Sequence, residues 1–159
     1  MAVFPTITDD DGTGTTGTIL DQALFHGIRD YVGTSWTDVT FNAGNFTASG
    51  SMTWTVASGD VSYYRWVEIG KTMFVCVAVF TTTVGGTPST ALKVAVPNGR
   101  TAQAATGLAI GLNNSAVFTG FWQTNGSTID FYVDATGTTN WAAATNTTAI
   151  RAMCSFEIA

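Results

Sequence analysis

The sequence predicts a mainly β protein: an antiparallel β-sandwich or jelly roll of about nine strands, preceded by an extended N-terminal arm and one short helix. Three observations predict it. Thr is the commonest residue and is joined by ten Phe, five Trp and four Tyr, types that fit a pleated, half-buried surface. Short apolar or alternating runs recur at regular spacing from Ser35 onward, each bounded by Gly, Asn, Ser, Asp or Pro. The connections between them are too short for crossover helices, which favours hairpins and Greek-key turns.

Residues 1–17 read as an extended docking arm. Val3, Phe4, Pro5 and Ile7 form a short extended stretch, and Asp9, Asp10 and Asp11 lead into Gly12-Thr13-Gly14-Thr15-Thr16-Gly17. That run has turn chemistry and no periodicity. It carries too little apolar surface to fold alone, so the expectation is that it orders on a partner. Residues 18–33 read as a helix. Thr18 with Asp21 three residues on has the form of a capping box. Leu20, Leu24, Ile28 and Val32 recur every four residues with Tyr31 beside them, and Gly33 supplies the stop. The stripe suits either packing on its own domain or an oligomer seam.

Residues 34–159 read as the β domain. Strands are expected at Trp36–Phe41, Met52–Val56, Val61–Ile69, Met73–Phe80, Ala91–Val96, Leu108–Leu112, Ala116–Trp122, Thr128–Val133 and Ala149–Ile158. Turns are expected at Ala43–Asn45, Ser58–Asp60, Gly70–Lys71, Val84–Ser89, Pro97–Gly99, Asn113–Asn114 and Asn125–Ser127. Asp134–Thr148 reads as a long loop anchored by Trp141. No internal repeat points to a solenoid or propeller.

The 159 residues suffice for one domain with a sizeable core. Charged residues are only 11% of the chain, far below the usual quarter, and Lys occurs only at Lys71 and Lys93. A surface of Thr, Ser, Asn and Gly is typical of secreted, fibrous or virion proteins. The net charge of −5 argues against nucleic acid or an anionic membrane as the main partner. The opening residues lack the basic and apolar regions of a signal peptide, and no apolar run approaches a spanning helix. Cys76 and Cys154 sit in apolar strand-like runs and read as two buried free thiols, with a bridge between neighbouring strands as the alternative.

Enzymatic constellations are sparse. His26 is the single histidine, and its place within a helix beside Phe25 suits packing better than general-base work. No spacing of His26, Cys76 and Cys154 suits a metal, so no metal and no cofactor is expected. Asp9-Asp10-Asp11-Gly12 fails the calcium-loop pattern, because Thr18 stands where the closing Glu belongs. A glycosidase would need a carboxylate pair drawn from Asp60, Glu68, Asp130, Asp134 and Glu157. The expectation is a protein that is not an enzyme. Outward-facing aromatics point first to protein contact. Trp141 and Trp122 are the candidates for stacking on a glycan.

The stretch Pro5-Thr6-Ile7-Thr8-Asp9-Asp10-Asp11-Gly12-Thr13-Gly14-Thr15-Thr16-Gly17-Thr18-Ile19-Leu20 resembles the N-terminus of small tailed-bacteriophage virion structural proteins of the head-decoration, knob or fibre type. Trp36-Thr37-Asp38-Val39, Ala48–Val56, Val84–Leu92 and Asn140–Glu157 are similar to the β-rich distal domains of such proteins. The resemblance implies no catalytic motif. It implies a homotrimer whose arm (Val3, Phe4, Pro5, Ile7, Asp9, Asp10, Asp11) docks on other virion proteins of the capsid or tail. The helix residues Leu20, Leu24, Ile28, Tyr31 and Val32 would line the trimer seam. The implied place is the virion surface after synthesis in the host bacterial cytoplasm. The expected role is a non-enzymatic capsid decoration; the alternative is the receptor-binding tip of a tail fibre or tailspike that recognises host surface glycan.

Overall fold

The structure, a computed structural model, describes residues 36–159. The arm and helix expected over 1–33, with their docking and seam residues, lie outside the described residues. Every strand expected from Trp36 onward is present, and a tenth is added. In chain order they are β1 (Thr37–Asp38), β2 (Phe46–Ala48), β3 (Met52–Thr55), β4 (Val61–Ile69) and β5 (Thr72–Gly86). They continue as β6 (Leu92–Ala95), β7 (Thr106–Asn113), β8 (Ala116–Asn125), β9 (Thr128–Tyr132) and β10 (Ala144–Glu157). Short 3-10 turns occupy Ala43–Asn45, Ser58–Asp60 and Pro97–Gly99, three of the expected turn sites.

All ten strands belong to one antiparallel sheet, ordered β1-β4-β5-β10-β7-β8-β9-β6-β2, with β3 on the far end of β5. The sequence reading expects two packed sheets of a jelly roll; here a single sheet curls into a half-barrel around one core. Two features produce the curl. Against Thr148 and Ile150 of β10, β5 aligns Thr82 and Val79, which leaves Phe80 and Thr81 to oppose one residue. Thr81 takes φ +55° and donates its hydroxyl to Asp60 Oδ1 at 2.9 Å. Such a bulge bends and twists its strand. The sheet ends then meet across the core, where Phe46 of β2 packs edge-on to Trp54 at 5.5 Å and to Tyr64 of β4 at 5.9 Å. The Tyr64 hydroxyl donates to the Ala95 carbonyl of β6, and burial pushes its pKa well up.

The core is built from Val75, Val77, Val79 and Met73 of β5, Ile150, Cys154 and Phe156 of β10, Leu92 and Val94 of β6, and Ile129 and Phe131 of β9. Several buried polar groups are paired within it, although Trp122 Nε1 and Thr148 Oγ1 find no partner. Trp54 Nε1 donates to Thr82 Oγ1 at 2.9 Å, and Thr82 Oγ1 donates onward to the Thr148 carbonyl at 3.0 Å. Asp130, 2% exposed, accepts the Lys93 ammonium at 3.2 Å and the Thr128 hydroxyl at 2.6 Å.

β5 continues through Gly85-Gly86, where the sequence suggests a turn, because Thr53 and Met52 of β3 pair with those two residues. Cys76 and Cys154 are both buried and free. The register opposes Cys76 to Met153 and Cys154 to Val75, so the two thiols project from opposite faces of the sheet. Burial, with Cys76 nearby, pushes the Cys154 thiol well above its ordinary pKa.

Candidate interaction surface

The outward face of β7 and β10 carries the most unusual chemistry of the described residues. Along β7 the large side chains Leu108, Ile110 and Leu112 alternate with Gly107, Ala109 and Gly111. An ordinary amphipathic strand would turn the large set inward. Here the small set faces the core, because β8 already fills that space with Phe118 and Trp122 opposite Gly111 and Gly107. A Cβ on Gly107 would lie 2.6 Å from the Trp122 ring, and one on Gly111 would lie 1.9 Å from the Ala149 carbonyl oxygen. The large set is therefore turned outward, with Leu112 half-buried. Leu108 is 77% exposed, Ile110 49%, Val117 of β8 83% and Met153 of β10 64%.

These residues form one patch. Tyr63, Ala78, Arg151, Ile110 and Thr119 make a single cross-strand row through β4, β5, β10, β7 and β8. Cys76 and Met153 stand in the next row, on the side of Leu108. β10 pairs with β7 only over Ala149–Arg151, against Ile110–Leu112. The strands then part until Ala102 bridges Ile158. The parting opens a groove of about 360 Å³ between Leu108, Ile110, Met153, Cys76 and Tyr63. A second hollow of about 250 Å³ lies beside it, bounded by Ile110, Leu112, Val117 and Arg151.

One arginine, Arg65, flanks the patch and a second, Arg151, stands within it between the two hollows. The Arg65 guanidinium lies 5.1 Å from the Trp36 ring centroid and 5.3 Å from that of Tyr63, and Arg151 lies 4.5 Å from that of Phe80. Each is drawn over an aromatic face, and Arg151 is the one charged residue lining the groove between Leu108 and Met153. An exposed apolar face that also carries Arg, Tyr and Trp has the composition of a protein–protein interface.

The glycan candidates fall elsewhere. Trp141 is 0% exposed and Trp122 3%. Trp141 donates Nε1 to the Phe131 carbonyl at 3.1 Å and packs edge-on to Phe118 at 5.0 Å. Both indoles are core residues with no face for a sugar, which corrects the expectation that they contact glycan. The loop carrying Trp141 folds back because its backbone N–H donates to the Ser89 carbonyl at 2.9 Å. Trp141 anchors that loop, but the loop is shorter than the expected Asp134–Thr148, because Ala144–Thr148 begins β10 and pairs with Val84 and Thr82 of β5.

Of the five carboxylates considered for a glycosidase, Glu68 and Glu157 line one hollow of about 350 Å³ together with Lys71, Arg100 and Gln103, the other three lie apart from it, and four of the five have structural partners. Glu68 holds Arg100 through two bonds of 3.0 and 2.9 Å. Asp60 caps its own turn at Ala57 N and receives Thr81. Asp130 pairs with Lys93. Asp134 accepts from the backbone N–H groups of Thr136, Gly137, Thr138 and Thr139. Glu157 stands exposed on β10. Among the described residues no group of three or more His, Cys, Asp or Glu is placed to hold a metal ion, and no helix is long and apolar enough to cross a membrane. A separate polar groove of about 470 Å³ is lined by Asn45, Thr47, Asn98, Arg100, Ser127 and Thr128 beside Tyr64.

The outward patch is not evident from the expected strand Leu108–Leu112 alone, which does not say which of its faces turns inward. Its signal was the strict alternation of small and large residues in Thr106–Asn113, set against the aromatic run of Ala116–Asn125. Comparison of the chain with protein-family models, with curated proteins and with solved structures finds no match.

Proposed function

We propose that this chain is a non-enzymatic structural protein of a tailed-phage virion, a decoration or knob that works through protein–protein contact. The observation that carries the reading is the outward apolar face of β7, β8 and β10 on a domain of very low charge. A rigid β-scaffold spends conformational freedom to hold that face in place, which suits an assembly part. The resemblance of residues 5–20 to virion-protein N-termini supports the particle, and the jelly-roll-like knob and trimer of that group belong to the same proposal. On this reading the arm, residues 1–17, docks on the particle and the β domain projects from it. Three arms joined by one knob gain affinity from effective concentration.

The test is copy number in purified particles, by quantitative mass spectrometry against the major capsid protein. The expected result is a copy number on the scale of the capsid protein. Deleting residues 1–17 is expected to leave a folded β domain that no longer attaches. A copy number on the scale of the tail components selects the receptor-binding tip instead. Absence from particles, or undiminished attachment of the deletion variant, overturns the proposal.

A further inference from the structure

We infer that the outward face of β7, β8 and β10 packs against the same face of a second copy of this chain. The contact is distinct from the seam expected at Leu20, Leu24, Ile28 and Val32, and it does not rest on the virion reading. Three observations carry it.

The first is the inversion of β7. Leu108 and Ile110 are exposed, with Leu112 half-buried beside them on the same face, because Phe118 and Trp122 hold the inner space, so the exposure is built into the packing. The second is area. At roughly 150 Å² for a fully exposed side chain of this size, the exposed fractions of Leu108, Ile110, Val117, Met153 and Tyr63 come to on the order of 500 Å². Two such faces would bury about 1,000 Å² of apolar surface. A standard interface of about 1,600 Å², some 60% of it non-polar, holds the same amount.

The third is self-complementarity. The face carries protruding side chains, Leu108 and Val117, beside two hollows of about 360 and 250 Å³. A two-fold contact requires that one surface supply both knob and hole. Arg65 lies over Trp36 and Tyr63 at the rim, while Arg151 stands between the two hollows with its guanidinium over the Phe80 ring, so the two copies must meet with Arg151 kept on Phe80 and offset from its mate.

The experiment uses the full chain. Sedimentation equilibrium at high micromolar concentration is compared for the native protein and the double variant Leu108→Glu, Val117→Glu. Both sites are exposed, so the variant is expected to keep the native circular dichroism spectrum. Its mass is expected to be half that of the native protein, whether the native species is a dimer or a larger assembly of dimers. In parallel, oxidation of Met153 by peroxide is followed by peptide mass spectrometry. Met153 is expected to be protected several-fold in the native protein and to lose that protection in the variant. A native protein whose mass the double substitution leaves unchanged overturns the inference. So does a Met153 that oxidises at equal rates in both.

Discussion

Asp134 organises the loop that returns the chain to Trp141. Its Oδ1 accepts from the N–H groups of Thr136 at 3.1 Å, Gly137 at 2.6 Å and Thr138 at 3.3 Å, and its Oδ2 from Thr139 at 3.1 Å. The Thr139 hydroxyl, then the Thr136 hydroxyl and the Gly137 and Thr138 amides, hold the carboxyl down at about 2. A depressed acid stabilises the folded form above its unfolded pKa and loses that contribution as pH falls through the folded value. The loop is therefore expected to stay ordered down to about pH 4 and to loosen as pH approaches 2. The amide resonances of Gly137 and Thr139 should move together over that window. Constant shifts down to pH 2 would refute the assignment.

At the scale of the element, β7 is defined by what it lacks. Gly111 tolerates no side chain, since a Cβ would sit 1.9 Å from the Ala149 carbonyl oxygen and 2.8 Å from the Phe118 ring. Neither neighbour can retreat, because Phe118 is held against Trp141 and Ala149 is paired in the ladder. Gly111→Ala is expected to cost about 3 kcal/mol or more, at the upper end of overpacking effects. Gly126 offers the contrast: its φ is +60° and nothing lies near its missing Cβ, so Gly126→Ala should cost only about 1 kcal/mol of backbone strain. Urea midpoints of the two variants check the ranking, and equal losses would contradict it.

The same element explains which parts of the fold were legible. Val61–Ile69 could be read to its ends because Tyr64 and Val67 are buried on a strand bounded by a turn at each end. Phe46–Ala48 was not legible, since three residues between Gly44 and Gly50 give no periodicity to count. Which face of β7 points inward depends on Phe118 and Trp122 of the next strand, and that is information no single strand contains. Trp141 was legible as an anchor through its size, while its burial depends on a contact with Ser89, far away in sequence.

For the molecule as a whole, the pairing of β5 with β10 is the mechanical centre. Cys154 lies there with no exposed surface, whereas Cys76 lines the outer groove. The chain should therefore show two thiol classes. Cys76 reacts with a small disulfide reagent from the native state, slowly. Cys154 reacts only at the rate of opening of the whole sheet, because no local fluctuation uncovers the middle of a central strand. Its rate should follow the hydrogen exchange of the Ile150 and Phe156 amides. Rapid modification of both thiols in native buffer would disprove a single cooperative sheet. Far-UV and near-UV unfolding curves should likewise coincide.

The position of β10 also bears on how the protein is made. It is the last of the described strands to be translated, yet it lies between β5 and β7 in the middle of the sheet. On the ribosome, nine strands emerge while the edges that β10 will join stay open and apolar. Neither side can close early, so folding waits for residues 144–157 to clear the exit tunnel. During that wait a nascent chain offers its neighbours on the same message an unpaired template for strand exchange. A chain that stops before Ala144 is expected to leave β5 and β7 unjoined and so to form no closed sheet.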